Sequence, residues 1–178
     1  IMKIAANIIT KTGGDILNID FGLGIIDHNI QLKKPKSHTI IEPHKQIYNE
    51  ALKNGWNNVN LINNDWISVI DDFIKKNKKF DGIYFDTFSY DENDTLKNFI
   101  LKVKYILKKD GVFSYFINYN GKNSQKIVND LAGEDIYNVN LININIDYDD
   151  NKLKKWKNYT IRKNHYIPIV RFKKNISI

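Results

Sequence analysis

The chain contains no cysteine, which excludes disulfides and thiolate metal ligands and leaves its redox compartment open. Its four histidines, His28, His38, His44 and His165, are scattered without metal-ligand spacing, so no metal site is expected. No apolar run approaches the ~18 residues of a membrane span, and no secretory pattern opens the sequence. Neither an internal repeat nor a second domain is visible. What is present suits a globular protein. The 178 residues are 42% hydrophobic, enough for one domain with a substantial core. The net charge is +7. Lysine and asparagine recur throughout, even in connecting stretches such as Lys75-Lys76-Asn77-Lys78-Lys79, so the excess reads as compositional and nucleic acid is not expected as a partner. The default location is the cytoplasm, with the nucleus as the alternative. The chain begins at Ile1 rather than methionine, and residues 1–178 are read as a single domain lacking its native N-terminal segment.

Hydrophobic spacing alternates helix and strand. Met2–Thr10 has helical spacing, and Gly13-Gly14 leads into a strand over Ile16–Asp20. Further helices are predicted over Ile25–Lys33, His44–Asn54, Trp66–Asn77 and Asp94–Leu107, and further strands over His38–Glu42, Val59–Ile62 and Phe80–Phe85. Gly111 is read as the turn into a fifth strand, Val112–Ile117, and Gly121–Leu131 as a further helix. Such alternation predicts a parallel sheet with helices on both faces. The tail differs: Tyr137–Ile146 alternates apolar and polar residues, Asp147–Lys155 is a charged loop, and Tyr159–Phe172 is a second strand. Pro168 suits an edge or a bulge. The expected architecture is α/β and Rossmann-like, a mostly parallel seven-stranded sheet ending in an antiparallel hairpin.

The stretch Asp15–Gly24, DILNIDFGLG, organises the rest. An apolar strand runs into Gly22 and Gly24, and the chain turns apolar again at Ile25-Ile26. Glycines there permit a tight turn and close approach of backbone to a nucleotide, beside the free N–H groups of a helix start. Glu42 ends the second strand, close to the spacing of about 20 residues at which such units place a ribose acceptor. Asp20, Glu42, Asp65 and Asp86 all fall at strand ends or just beyond, where open α/β sheets bind ligands.

The segments LNIDFGLGIID, KPKSHTIIEPHKQIY, KNGW and FDGIYFDTF resemble the guanidino methyltransferases of the class I S-adenosylmethionine-dependent fold. That family includes guanidinoacetate N-methyltransferase and the fungal and plant enzyme that methylates the internal guanidino nitrogen of protein arginine. HTIIE-x-H followed by Gly55-Trp56 is closer to the arginine enzyme. The resemblance implies that Phe21, Gly22, Leu23, Gly24, Ile25 and Ile26 wrap the methionine and ribose part of S-adenosylmethionine. It implies that Glu42 accepts from the ribose hydroxyls and that Asp65 and Trp66 lie near the adenine, with His44 as a further contact there. Met2 matches a helix residue that touches the cofactor. Asp86 would sit beside cofactor and substrate, with Thr87, Asn118 and Tyr119 on the substrate. The pattern is broken at two places. Asp20 stands at the family's first motif glycine, and Asn64-Asp65 replaces a Gly-Arg pair. The family also places a glutamate about four residues before the position of Met2, upstream of this chain. Asp20 could instead supply an acid to the motif, because Asp20-x-Gly22-x-Gly24 fits the pattern acid-x-Gly-x-Gly.

Guanidinium has a pKa above about 12 and weakly nucleophilic nitrogens. The methyl donor is itself a cation, so a carboxylate must offset like charges in a low-dielectric cleft and align the planar fork. Asp86 is the candidate for that role, against a bland reading as a cap of Asp91–Thr95 or of a turn through Thr87. The expected activity is N-methyl transfer to a guanidino group, of protein arginine first and of guanidinoacetate second. A non-catalytic protein with this fold, its motif altered at Asp20, is the alternative of another class. Expected partners are an arginine-containing protein or a small guanidino substrate, with a homodimer left open. Trp56 and Trp156 read as packing aromatics.

Overall fold

The computed structural model describes residues 1–87, 92–116, 136–145 and 164–174. In chain order the elements are α1 (Met2–Ile9), β1 (Asp15–Ile19), α2 (Ile25–Gln31), β2 (Ser37–Ile41), α3 (Lys45–Lys53) and a single 3-10 turn (Trp56–Asn58). There follow β3 (Asn60–Ile62), α4 (Trp66–Lys75), β4 (Phe80–Phe85), α5 (Glu92–Ile106), β5 (Leu107–Tyr115), β6 (Tyr137–Asn145) and β7 (Asn164–Phe172). The seven strands form one sheet in the order β3-β2-β1-β4-β5-β7-β6. Pairs from β3 through β5 are parallel, and β7 is antiparallel to both its neighbours.

Side chains alternate across each strand, so β1 serves two cores. Leu17 and Ile19 pack with Phe85, Phe99 and Phe113 under α4 and α5. Ile16 packs with Ala5, Ala6, Ile9, Ile26 and Ile30 under α1 and α2. Phe99 is fully buried and its ring centroid lies 4.3 Å from that of Phe85. Burying one such side chain contributes about 1.5–3 kcal/mol. α1 lies so close to β4 that a Cβ at Gly82 would overlap the carbonyl oxygen of Ile9. Glycine is therefore required at that crossing.

The strands lie close to their expected positions, with three differences. β5 begins at Leu107, before Gly111, and the helix ends at Ile106. Phe80 pairs with Leu107 but Gly82 with Val112, so Lys108–Gly111 bulges out of the ladder. Lys108 Nζ turns back to Asp15 Oδ2 (2.9 Å) and Asp81 Oδ2 (2.7 Å), holding the Asp15 carboxyl below its ordinary range. The third difference is Pro168, expected on an edge or at a bulge. It lies in β7, inside the sheet, opposite Leu141 of β6. Proline withdraws one donor from the ladder, and among the described residues β5 and β7 pair only at Phe113–Val170. The expected helix Gly121–Leu131, the loop Asp147–Lys155, Ile117, Trp156 and the start of the last strand at Tyr159 lie outside the described residues. Among the described residues no helix is long and apolar enough to cross a membrane.

Candidate active site

β1 ends at Ile19, and the chain leaves the sheet through three left-handed residues: Asp20 (φ 69°), Gly22 (φ 54°) and Gly24 (φ 67°). Gly24 N donates to Phe21 O at 2.8 Å, closing the turn, and α2 starts at the next residue. A Cβ on Gly24 would come within 2.5 Å of the Phe21 ring, so the glycine accommodates both the backbone angle and the packed aromatic. Aspartate is among the few other residues that visit this conformation.

Glu42, directly after β2, is 1% exposed. Its Oε2 accepts from Phe21 N (3.1 Å) and Gly22 N (3.4 Å), and its Oε1 from His44 N (2.7 Å). Asn63 Nδ2 donates to the Glu42 carbonyl at 2.9 Å. One carboxylate thus ties the turn after β1 to the loop after β2. Two carboxylate oxygens offer about four acceptor sites, and these contacts use three.

Beneath the turn lies a buried polar network absent from the sequence reading. Asn18, on the α2 face of β1, donates through Nδ2 to Asp27 Oδ1 (2.8 Å) and to the Asp20 carbonyl (2.9 Å). His38 Nε2 lies 3.1 Å from Asp27 Oδ1, and His38 Nδ1 is 2.8 Å from Gln31 Nε2. An amide NH2 only donates, which makes Nδ1 the acceptor and puts the ring proton of a neutral imidazole on Nε2. Burial pushes the Asp27 carboxyl up, opposed by His38 and Asn18. Trp56 stands with its ring edge-on to both Phe21 (5.1 Å) and His38 (6.4 Å), closing the network from outside. The available signal was an asparagine in an otherwise apolar strand and an aspartate opening an apolar helix.

Asp86 follows β4, and its N–H donates to Ile19 O at 3.2 Å, extending the ladder beside the turn. Burial, with the Asp27 charge nearby, pushes its carboxyl up to about 7. Asp20 is pushed up to about 7 by burial and by the charges of Glu42 and Asp86. Since β1 lies between β2 and β4, Asp20 stands between Glu42 and Asp86 at the strand tips. Tyr84, two residues before Asp86, donates its hydroxyl to Met2 Sδ at 3.5 Å, bringing the start of α1 to this edge. Burial, with Asp86 as a lesser cause, raises the Tyr84 phenol well above its ordinary value.

The remaining candidates are placed as follows. Asp65 caps α4, accepting from Ser68 N at 2.9 Å and from Ser68 Oγ, which lowers its pKa. Trp66 packs edge-on against Phe85 and Phe99 beneath the sheet end. His44 is exposed at the start of α3. Ile26 is buried in the α1–α2 core, whereas Leu23 (89%) and Ile25 (55%) face solvent. A cleft of about 440 Å³ lies on the α3 side of the turn, lined by Phe21, Leu23, Ile47, Ala51 and Trp56 among others. Its lining does not include Asp20, Glu42 or Asp86. Thr87 follows Asp86 directly, and Asn118 and Tyr119 lie outside the described residues.

This strand order, with a glycine turn after β1 and an acid after β2, defines the class I S-adenosylmethionine-dependent methyltransferase fold. A methyltransferase crystallised in complex with SAH superposes with a TM-score of 0.68 at 12% identity, over 94% of this chain and 48% of that one. The family model described as guanidinoacetate N-methyltransferase matches residues 1–130, and the chain belongs to that family. The Yarrowia lipolytica protein named protein arginine N-methyltransferase 2 is 31% identical over 90% of this chain and 37% of its own length. Its Saccharomyces cerevisiae namesake is 40% identical over 57% of this chain and 25% of its own length. The chain therefore spans about a third or less of the length of these relatives.

Proposed function

We propose that this chain is an S-adenosylmethionine-dependent N-methyltransferase domain acting on a guanidino group, with protein arginine as the substrate. The observation that carries the reading is Asp86, a partly buried carboxylate at the tip of β4, beside the glycine turn. Relatives named for arginine methylation support arginine. Guanidinoacetate, named by the family model, is the second reading.

The residues present fit the cofactor. Asp20 Oδ1 and Thr87 Oγ1 are buried at this edge without a hydrogen-bond partner, as groups awaiting a polar ligand would be. Glu42 keeps an unused acceptor position for a ribose hydroxyl, and Met2 lies on the neighbouring wall. The cofactor supplies an electrophilic methyl group on a positively charged sulfur. Asp86 accepts from the guanidinium fork, offsets its charge and turns one nitrogen toward the methyl. With cofactor and substrate bound, the nitrogen would take the methyl as the sulfur–carbon bond breaks and neutral S-adenosylhomocysteine leaves, and Asp86 would be placed to accept the proton the methylated nitrogen gives up. Alignment supplies much of the remaining rate.

The test is methyl transfer from labelled cofactor to an arginine-containing peptide and to guanidinoacetate. It uses this chain and its Asp86→Asn variant. Asp86→Asn is expected to cost about 3 kcal/mol or more in transition-state stabilisation. Undiminished transfer by Asp86→Asn removes Asp86 from the chemistry, and transfer to guanidinoacetate alone replaces protein arginine as substrate.

A further inference from the structure

Asp20 is the one carboxylate of the three at the strand tips whose surroundings do not explain it. Glu42 is held by three backbone N–H groups, and Asp86 has its role in the reading above. Asp20 Oδ1 is closed off from solvent and has no hydrogen-bond partner. The charged groups acting on it are Glu42 on one side and Asp86 on the other, both of its own sign. The residue also occupies a left-handed conformation that glycine would adopt without strain. A buried carboxylate among like charges is unfavourable unless something positive joins it.

The geometry points to Asp20 as the residue that faces the cofactor's positively charged sulfur and makes the site prefer the methyl donor over its neutral, demethylated product. The inference rests on the functional reading above. In that reading the ribose is at Glu42 and the departing methyl is at Asp86. The sulfur is bonded to the methyl and, through one carbon, to the ribose, so it lies between those two positions. The strand order puts β1, and hence Asp20, between them as well. Once the methyl has left, the sulfur is neutral and Asp20 again lacks a counter-charge. The product is held less tightly than the donor, which favours exchange of spent cofactor for fresh.

The test is calorimetric binding of S-adenosylmethionine and S-adenosylhomocysteine at pH 8.5 to the parent, Asp20→Asn and Asp20→Gly. Both substituents tolerate the left-handed backbone, and thermal unfolding confirms that each variant is folded. The parent is expected to bind the donor about tenfold more tightly than the product, the size of effect given by one partly screened charge pair. In either folded variant the two affinities should converge to within about threefold, with product binding equal or improved. If both ligands bind and the ratio is unchanged in the variants, Asp20 does not face the sulfur and the functional reading stands. Equal loss of both ligands in folded variants makes Asp20 a general wall of the pocket and also overturns the inference. Failure of the parent to bind either ligand overturns the inference and the functional reading together.

Discussion

His38 on β2 presents its Nε2 to Asp27 on α2 at 3.1 Å, with both side chains almost wholly enclosed. The pair locks the start of α2 to the sheet directly beneath the turn that carries Asp20. Asn18 completes it from β1, bonding Asp27 on one side and the Asp20 carbonyl on the other.

Breaking that pair should be costly. His38→Ala or Asp27→Ala leaves the other group buried and unpaired, and each is expected to lower unfolding free energy by about 2–4 kcal/mol. The double variant should cost less than the sum of the two single variants. Urea unfolding of the three variants measures it, and strict additivity would show that the two side chains do not interact.

Glu42 has a structural duty that can be separated from ligand binding. Glu42→Ala removes the acceptor for Phe21 N, Gly22 N and His44 N. The amides of Phe21 and Gly22 should exchange hydrogen faster without any ligand present. S-adenosylhomocysteine affinity should also fall by about 1.5–3 kcal/mol. Unchanged exchange at those amides would contradict the hydrogen bonding described.

Acid should stabilise the ligand-free chain. Asp20 and Asp86 titrate near 7 when folded, against an ordinary value of 3.8. Between those values the folded state binds more protons than the unfolded one, so stability falls as pH rises. The loss begins above about pH 4 and is complete just above pH 7, amounting to as much as about 4 kcal/mol per group. Melting temperatures from pH 5 to 8 should decline, and Asp20→Asn should flatten the decline. A melting temperature that rises over this range in the parent and is unaffected by Asp20→Asn would show that neither carboxyl is raised.

The crossing of α1 over β4 admits no side chain at Gly82. Gly82→Ala places a methyl against the Ile9 carbonyl and must displace α1. A destabilisation of about 1–3 kcal/mol or more is expected from such overpacking. Because Met2 at the start of α1 meets Tyr84 at the candidate site, cofactor affinity should fall as well. Denaturant unfolding and calorimetry report the two effects independently.

Local chemistry decided a great deal by itself. The spacing of Ile67, Val69, Ile70, Phe73 and Ile74 calls for an amphipathic helix regardless of context, because a 3.6-residue period is a property of one segment. Likewise Gly22 and Gly24 between two apolar runs announce a tight strand-to-helix turn, and both are left-handed in the structure. Alternation of such segments was enough to imply a parallel sheet ending in a hairpin, and that is the fold observed. Three things required the third dimension. Pro168 reads as an edge or bulge residue in one dimension, and the choice waits on strand order, which long-range pairing sets with β6 outside β7. The ion pairs of Lys108 join Asp15 and Asp81, carboxylates distant in sequence that only the folded sheet brings to one lysine. Above all, burial is not written in any segment. Asp20 and Asp86 read as candidate acids at strand ends, but only burial, with Glu42 and Asp86 acting on Asp20 and Asp27 acting on Asp86, lifts both to about 7. Desolvation and charge repulsion act through space, so only the tertiary structure decides how strongly these acids hold their protons.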